Sequence, residues 1–326
     1  MKRAWAIISC ALSTALFVSL AQATPVNLNT AGPSDWELLA VGNGRQGGDI
    51  TMANGTSVTA ASGESGNIGL AGPSSNNTLQ MGGASISVEG AALMGTGGNL
   101  NLSGSGDVVN GGIYGASLTG NPQGNTVNNV NQTTILNQAR TDALSAAAAA
   151  SALPETPAYS SITSINTNTN MTITAVSGGV NVLHLSGLDL NGAALTLNGA
   201  GLGGSFILDV DSGNFTMNSG VIELTGGLNF SQVLVNIGSG ASTTPWSGGG
   251  NASQMTGIVL APYTSISLSP GLMYGEIIAQ NITLVSGACC ELPPPPPTIV
   301  PEPATLSLLL LGGAGILARR IRRKGA

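Results

Sequence analysis

Two stretches near the end of the chain, GIVLAPYTSISLSPG (residues 257–271) and GEIIAQNITLVSGA (residues 275–288), repeat one pattern 18 residues apart. In this alignment Val259 matches Ile277 and Ala261 matches Ala279. A period near 18 suits one coil of a three-sided β-solenoid, with roughly six residues on each side. The repeat therefore predicts stacked coils with inward ladders of Ile, Leu and Val.

The same interval recurs at the other end of the body, where Ile50, Ile68 and Ile86 are spaced 18 residues apart. Between the two ends lie short strand-like runs such as NMTITAV, SFILDV and VIELTG, each ended by Gly, Asn or Ser. Several alternate apolar with polar residues, which buries one side of a strand and leaves the other in water. An antiparallel sandwich of short strands is the alternative, but the recurring period favours the solenoid.

One segment of the body is different in kind. Residues 133–153, TTILNQARTDALSAAAAASAL, contain no Gly or Pro and are rich in Ala, so they predict a helix that ends before Pro154. Small residues recur at steps of three and four, including Ala143 and Ala147, and form a narrow stripe. Such a stripe can lie close against a flat sheet.

Charge is scarce and unevenly distributed in this 326-residue chain. Charged residues make up 7%, against about 25% in an average soluble domain. Between the termini the only cations are Arg45 and Arg140, so the body is strongly acidic. Binding of nucleic acid requires Lys and Arg to neutralise phosphates, and we exclude it. Electrostatic binding to anionic lipid or polyanionic sugar is disfavoured for the same reason.

The N-terminus predicts export. Residues 1–23 have a short basic region, an apolar run, and the small-x-small pattern Ala21-Gln22-Ala23 of a cleavage site. An uncleaved membrane anchor is the alternative. Cleavage would require signal peptidase and the secretion machinery as partners. The mature chain would then keep Cys289 and Cys290, which in an oxidising compartment could form a strained vicinal disulfide or a bridge to another chain.

The C-terminus combines a stalk, an apolar run and a basic tail. Five prolines within residues 291–300 favour polyproline II and a semi-rigid linker. The apolar run at 304–318 is about 22 Å long as a helix, shorter than the roughly 30 Å core of a bilayer. The tail should stay on the cytoplasmic side, with the body outside. The basic residues of the tail are Arg319, Arg320, Arg322, Arg323 and Lys324.

Pro301-Glu302-Pro303, followed by the apolar run and the basic tail, closely resembles the PEP-CTERM sorting signal over residues 301–326. In that family an exosortase of the inner membrane is thought to recognise and cut near the Pro-Glu-Pro segment. The resemblance implies transient anchoring in the inner membrane. It also implies delivery to the cell surface or the exopolysaccharide matrix of a Gram-negative bacterium.

Residues 24–290 form the predicted body, and much of it resembles ice-binding-type β-solenoids and the choice-of-anchor A domains of surface proteins. The resemblance rests on SGNIGL (residues 65–70), the helical segment, the run from LDLNG to ELTGG (residues 188–227), and the repeat at 257–288. It implies a mainly β, three-sided solenoid with one long accompanying α-helix.

Two groups of residues are candidates for a site. Thr167, Thr169, Thr172 and Thr174, with Thr264, could form a hydroxyl- and methyl-bearing face for ice or another ligand, although solvated strand faces explain them equally well. Asp209 and Asp211 alternate on a strand and could act on a glycan or hold Ca²⁺. Their simpler interpretation is a wet strand face.

His184 is the only histidine, and we interpret it as structural. No catalytic residue, metal site or cofactor is expected, because the body lacks the cations and the His/Cys spacing that such sites need. The sequence thus predicts a non-enzymatic surface or matrix protein with a structural or adhesive role. Ice binding and a glycan-active β-helix enzyme are the alternatives, and exopolysaccharide or ice is the expected partner.

Overall fold

The computed structural model describes residues 26–291, apart from 33–34, 44–46, 61–65, 73–75, 246–252 and 286. The predicted signal peptide, proline run and sorting signal lie outside these residues. Within the described part of the chain, no helix is long and apolar enough to cross a membrane.

The described chain before the helix forms short strands in a regular succession. They are β1 (Leu38–Ala40), β2 (Ile50–Ala53), β3 (Ser57–Thr59), β4 (Ile68–Leu70), β5 (Thr78–Gly82), β6 (Ser87–Val88), β7 (Ala92–Met94), β8 (Asn99–Leu102), β9 (Val108–Val109), β10 (Ile113–Tyr114), β11 (Thr119–Asn121) and β12 (Val127–Asn128).

The helix and a second series of strands follow. They are α1 (Thr133–Ser151), β13 (Ile165–Thr167), β14 (Met171–Thr174), β15 (Val180–Leu185), β16 (Leu188–Asn191), β17 (Ala194–Asn198), β18 (Ser205–Asn218), β19 (Val221–Thr225), β20 (Val233–Thr243), β21 (Ser253–Ala261), β22 (Ile266–Leu268), β23 (Gly271–Ala279), β24 (Ile282–Leu284) and β25 (Cys289–Glu291). Short 3₁₀ turns occupy Asn29–Ala31, Pro157–Tyr159 and Phe230–Gln232.

All strand pairings are parallel and stack into three faces. Face A runs β15-β18-β20-β21-β23-β1-β4-β7-β10-β12. Face B contains β13-β16-β18-β20 and the continuous row β22-β24-β2-β5-β8-β11. Face C runs β14-β17-β19-β21-β23-β25-β3-β6-β9. The long strands β18, β20, β21 and β23 turn a corner and contribute to two faces.

The order of coils along the stack differs from their order in the chain. Strand β1 pairs with β4 on one side and with β23 on the other, so the first coil lies beside the last. The chain builds outward from β1 to β12, returns along α1, and builds back from the far end. With 19 residues, α1 is about 28 Å long and crosses roughly six strands spaced about 4.8 Å apart.

The 18-residue interval is right for one coil and wrong as a general period. Gly257 pairs with Gly275 across β21 and β23, as the repeat predicts. Other partners are farther apart in the chain: Leu38 pairs with Ile68, 30 residues on. Ile50 lies on face B and Ile68 on face A, so their spacing does not measure a coil. Coil length varies because the corners carry loops of different size.

Two apolar layers hold the fold together. The interior is filled by buried Leu, Ile, Val and Met side chains from all three faces. The second layer lies between α1 and face A, where Ala139, Ala143 and Ala147 pack against residues such as Ile207 and Leu234. Small side chains allow close approach of the helix to the sheet, which is the arrangement that the alanine stripe predicts.

The junction between the first and last coils buries two acids. Glu37 and Glu276 are fully buried, and none of their four carboxyl oxygens has a hydrogen-bond partner. They lie beside each other, because Ile277 N–H donates to the Glu37 carbonyl and Leu38 pairs with Ile277. Burial, then the nearby Glu291 and Glu89, raise the pKa of Glu37 to about 9. Burial raises the pKa of Glu276 well above its ordinary value too.

Candidate functional site

Face B carries a straight column of uncharged polar side chains, which we call the polar ladder. Its members come from six successive paired strands: Ser267, Thr283, Thr51, Gln80, Asn101 and Asn121. Each is partly or fully exposed. Parallel strands lie about 4.8 Å apart, so the ladder extends over about 24 Å.

The ladder points outward because its neighbours in sequence point inward. In β22, β24, β2, β5 and β8 each polar residue lies between two buried apolar ones, for example Ile50 and Met52 on either side of Thr51. Alternation along a strand therefore places hydroxyl and amide groups at regular steps on one surface. This surface can offer repeated donors and acceptors to a neutral ligand.

A cleft of about 480 Å³ adjoins the ladder at its Ser267 end. Hydroxyl groups dominate its lining, including Thr243, Thr264 and Ser265, and the ring of Tyr263 is 46% exposed beside it. Thr243 Oγ1 donates to the Ser265 carbonyl at 2.6 Å, which ties β20 to the segment before β22. The cleft continues the polar surface of face B toward β20.

The structure divides the predicted threonine group between a strand and a corner. Thr172 and Thr174 are exposed on β14 in face C, where they pair with Thr196 and Asn198. Thr167 and Thr169 lie at the corner before β14 and bond each other, with the Thr169 N–H donating to Thr167 Oγ1 at 2.9 Å. The four hydroxyls do not share one face. Sequence reasoning missed the polar ladder, for which the recurring apolar–polar–apolar triplets are the available signal.

Asp209 and Asp211 lie on β18 at the edge of α1, in very different surroundings. Asp209 is fully buried, and its Oδ1 accepts hydrogen bonds from Asn236 at 2.6 Å and from Ser151 at 3.1 Å. The Asp211 side chain is 55% exposed. The interpretation of both as a wet strand face is therefore wrong for Asp209. The two do not form a pair of accessible carboxylates of the kind that hydrolyses glycans.

His184 on β15 lies beside both acids. Its Nδ1 is 3.0 Å from Asp209 Oδ2 and 3.6 Å from Asp211 Oδ2, and its Nε2 is 2.8 Å from the Leu153 carbonyl oxygen. Burial lowers the pKa of His184, but the Leu153 hydrogen bond and the two carboxylates raise it above its ordinary value overall. Burial raises the pKa of Asp209 despite the Asn236 hydrogen bond.

The two described cysteines are free thiols on opposite sides of β25. Cys290 is buried in the interior, which raises the pKa of its thiol, whereas Cys289 faces outward and accepts from Ser57 Oγ at 3.2 Å. Adjacent residues on a strand point in opposite directions, so this backbone does not bring the two sulfurs together.

The remaining predicted residues fall outside the described part of the chain. These are Ala21 and Ala23 at the expected cleavage site, Pro301-Glu302-Pro303, and the basic residues from Arg319 to Lys324. Their roles stay predictions from sequence.

Two family models match the chain. A model described as an ice-binding-like adhesive domain matches residues 36–289, and one described as a PEP-CTERM protein-sorting motif matches residues 300–324. The first covers most of the chain and almost all of the predicted body. The second covers nearly all of the predicted sorting signal and implies sorting by an exosortase to the cell surface.

Solved structures of low sequence identity resemble the chain. An ice-binding protein from the Antarctic ascomycete Antarctomyces psychrotrophicus is 18% identical, with 83% of this chain and 99% of that one covered and a TM-score of 0.45. The DUF3494 domain of an ice-binding protein from Shewanella frigidimarina is 17% identical, with 82% and 96% covered and a TM-score of 0.48. No curated protein matches the chain in sequence.

Proposed function

Because the chain belongs to the ice-binding-like adhesive domain family, we propose that it is an exported surface protein that adheres through the polar ladder of face B. Its target is an extended, neutral, hydroxyl-rich surface, with the exopolysaccharide matrix as the first candidate. The observation that carries the proposal is the register of Ser267, Thr283 and Thr51 with the next three strands.

Charge supports a neutral target. No member of the ladder is ionised, and the described body has Arg140 as its cation, whose Nε donates to the Val41 carbonyl beside α1. A polyanionic sugar would meet an acidic body without compensating cations. Hydroxyl and amide groups can instead exchange hydrogen bonds with sugar hydroxyls, individually weak and repeated along the ladder.

Delivery rests on the C-terminal motif. The match at residues 300–324 supports recognition near Pro301-Glu302-Pro303 by an exosortase, after export directed by residues 1–23. In this proposal the inner membrane holds the chain only until cleavage, and the body is then released to the surface or the matrix. The proline-rich linker at 291–300 keeps the body away from the membrane during that step.

Ice is the second candidate target. It is favoured by the same feature, since a row of uncharged hydroxyl and amide groups on rigid strands suits an ordered lattice of water. A reaction on a bound glycan is not proposed, because Asp209 is buried beneath α1.

The test places large side chains on the ladder. Thr51→Tyr with Thr283→Tyr should break its surface while leaving the inward residues in place. Thr196→Tyr on face C is the matched control, because Thr196 is also a partly buried, outward threonine between paired strands. The assays are co-sedimentation with an insoluble neutral polysaccharide and inhibition of ice recrystallisation.

Retention on the polysaccharide by the native chain and the control, with loss in the double variant, supports adhesion through the ladder. Ice activity with the same pattern of variants assigns ice as the target. Equal loss in the face C variant, or retention of full binding in the double variant, would contradict the use of face B.

A further inference from the structure

A second cluster of chemistry lies at the edge of α1, away from the polar ladder. His184 on β15 pairs in register with Asp209 on β18, and Asp211 follows two residues later. One donor atom from each of the three side chains lies within 4.8 Å of the other two. Neighbouring strands thus bring together residues that are 25 and 27 positions apart in sequence.

The second ring nitrogen of His184 fixes the tautomer. Nε2 lies 2.8 Å from the Leu153 carbonyl oxygen, which can only accept, so Nε2 carries the hydrogen. In the neutral imidazole, Nδ1 then presents a lone pair toward Asp209 and Asp211. Metal-binding histidines are held in this way, with the other ring N–H donated to a carbonyl or carboxylate.

Asp209 provides an independent indication of a ligand. The side chain is fully buried, and Oδ1 takes both hydrogen bonds, from Asn236 and Ser151. Oδ2 is equally buried and has no hydrogen-bond partner. Leaving a buried carboxylate oxygen without a donor is unfavourable by about 1–3 kcal/mol or more. Oδ2 points to the same place as His184 Nδ1.

We propose that His184 Nδ1, Asp209 Oδ2 and Asp211 Oδ2 bind a divalent transition-metal cation, with Zn²⁺ as the probe. Ligands about 2.0–2.2 Å from one zinc ion lie roughly 3.0–3.6 Å from each other. Nδ1 lies at 3.0 and 3.6 Å from the two carboxylate oxygens. An imidazole ligand suits zinc better than calcium or magnesium, which take oxygen ligands.

The surroundings leave room for exchange and for water ligands. Asp211 is more than half exposed, and a cleft of about 230 Å³ lined by Ser151, Asp211, Asn236 and Tyr263 opens beside the cluster. A bound cation joins β15 to β18. Through the contacts of His184 with Leu153 and of Asp209 with Ser151, it also fastens the C-terminal end of α1 to face A.

The test is zinc titration by calorimetry on the full-length chain at pH 7, in a neutral detergent. We expect one zinc ion per chain, at least tenfold weaker binding for Asp211→Asn, and loss of binding for His184→Gln. Asp189→Asn is the matched control, because Asp189 lies on β16 in face B, outside the cluster. Circular dichroism verifies that each variant folds, and the exposed position of Asp211 makes its variant the safest.

X-ray absorption at the zinc edge provides a second readout and should show nitrogen and oxygen ligands without sulfur. Absence of zinc binding by the native chain would overturn the proposal. So would native affinity in both variants, or sulfur ligation, because either assigns the metal to other groups such as Cys289.

Discussion

Replacing Glu37 by Gln should stabilise the protein and flatten its dependence on pH. The folded state keeps Glu37 protonated up to about pH 9, whereas the unfolded chain releases that proton near the ordinary value of 4.5. Between these values the unfolded state binds fewer protons, so the free energy of unfolding decreases as pH rises. Stability is complete below about pH 4.5 and is lost progressively up to about pH 9.

The magnitude follows from the pKa difference. Each unit is worth about 1.4 kcal/mol, so at pH 7 keeping Glu37 protonated costs about 3 kcal/mol relative to a neutral side chain. Glu276 is buried beside it and its pKa is raised in the same direction. Glu37→Gln removes one contribution to the slope, and the double variant with Glu276→Gln removes both. The slope is a cleaner test than absolute stability, because the Gln amide brings an additional donor of its own.

The assay is urea unfolding followed by circular dichroism at pH 5, 6, 7 and 8. Glu223→Gln serves as the control, because Glu223 is exposed on face C and should leave the slope unchanged. A native stability that does not change with pH, or a Glu37→Gln variant with the native slope, would refute the reasoning about these acids.

Two further predictions concern close packing. Gly275→Ala should destabilise the fold by several kcal/mol, since its φ is +140° and a Cβ would meet the Gly257 carbonyl oxygen; Gly192→Ala, with a positive φ but open space around it, should cost only about 1–2 kcal/mol in urea unfolding. Ala143→Leu should overpack the layer between α1 and face A by about 1–3 kcal/mol. The exposed Ala149→Leu should leave the thermal midpoint nearly unchanged, and equal effects of the two leucines would contradict close helix packing.

Local regularity decides how much of this fold the sequence predicts. The Gly257 and Gly275 stretches lie on adjacent coils of equal length, so their similarity directly reports the stacking. The alanine stripe of α1 predicts close packing because it depends only on helical spacing. The isoleucines at 50 and 68 mislead, because coils of unequal length place them on different faces.

The candidate sites depend on contacts that no local pattern encodes. His184 and Asp209 meet only through the pairing of β15 with β18. Sequence reasoning sought metal ligands close together in the chain and therefore found none. The polar ladder has the same difficulty, since Gln80 and Asn101 join Thr51 only once coil lengths are known.

The position of the ladder relative to the coil junction links adhesion to stability. Thr283 and Thr51 are neighbours because β24 pairs with β2, and this step lies in the same pair of coils as Glu37 and Glu276. Opening the junction would divide the ladder into a part with β22 and β24 and a part with the four strands from β2 to β11. Because ionising the two acids weakens that junction, adhesion should decline at alkaline pH before the rest of the solenoid unfolds. The double Gln variant should retain polysaccharide binding at a higher pH than the native chain, and identical pH limits in co-sedimentation would separate the junction from the binding surface.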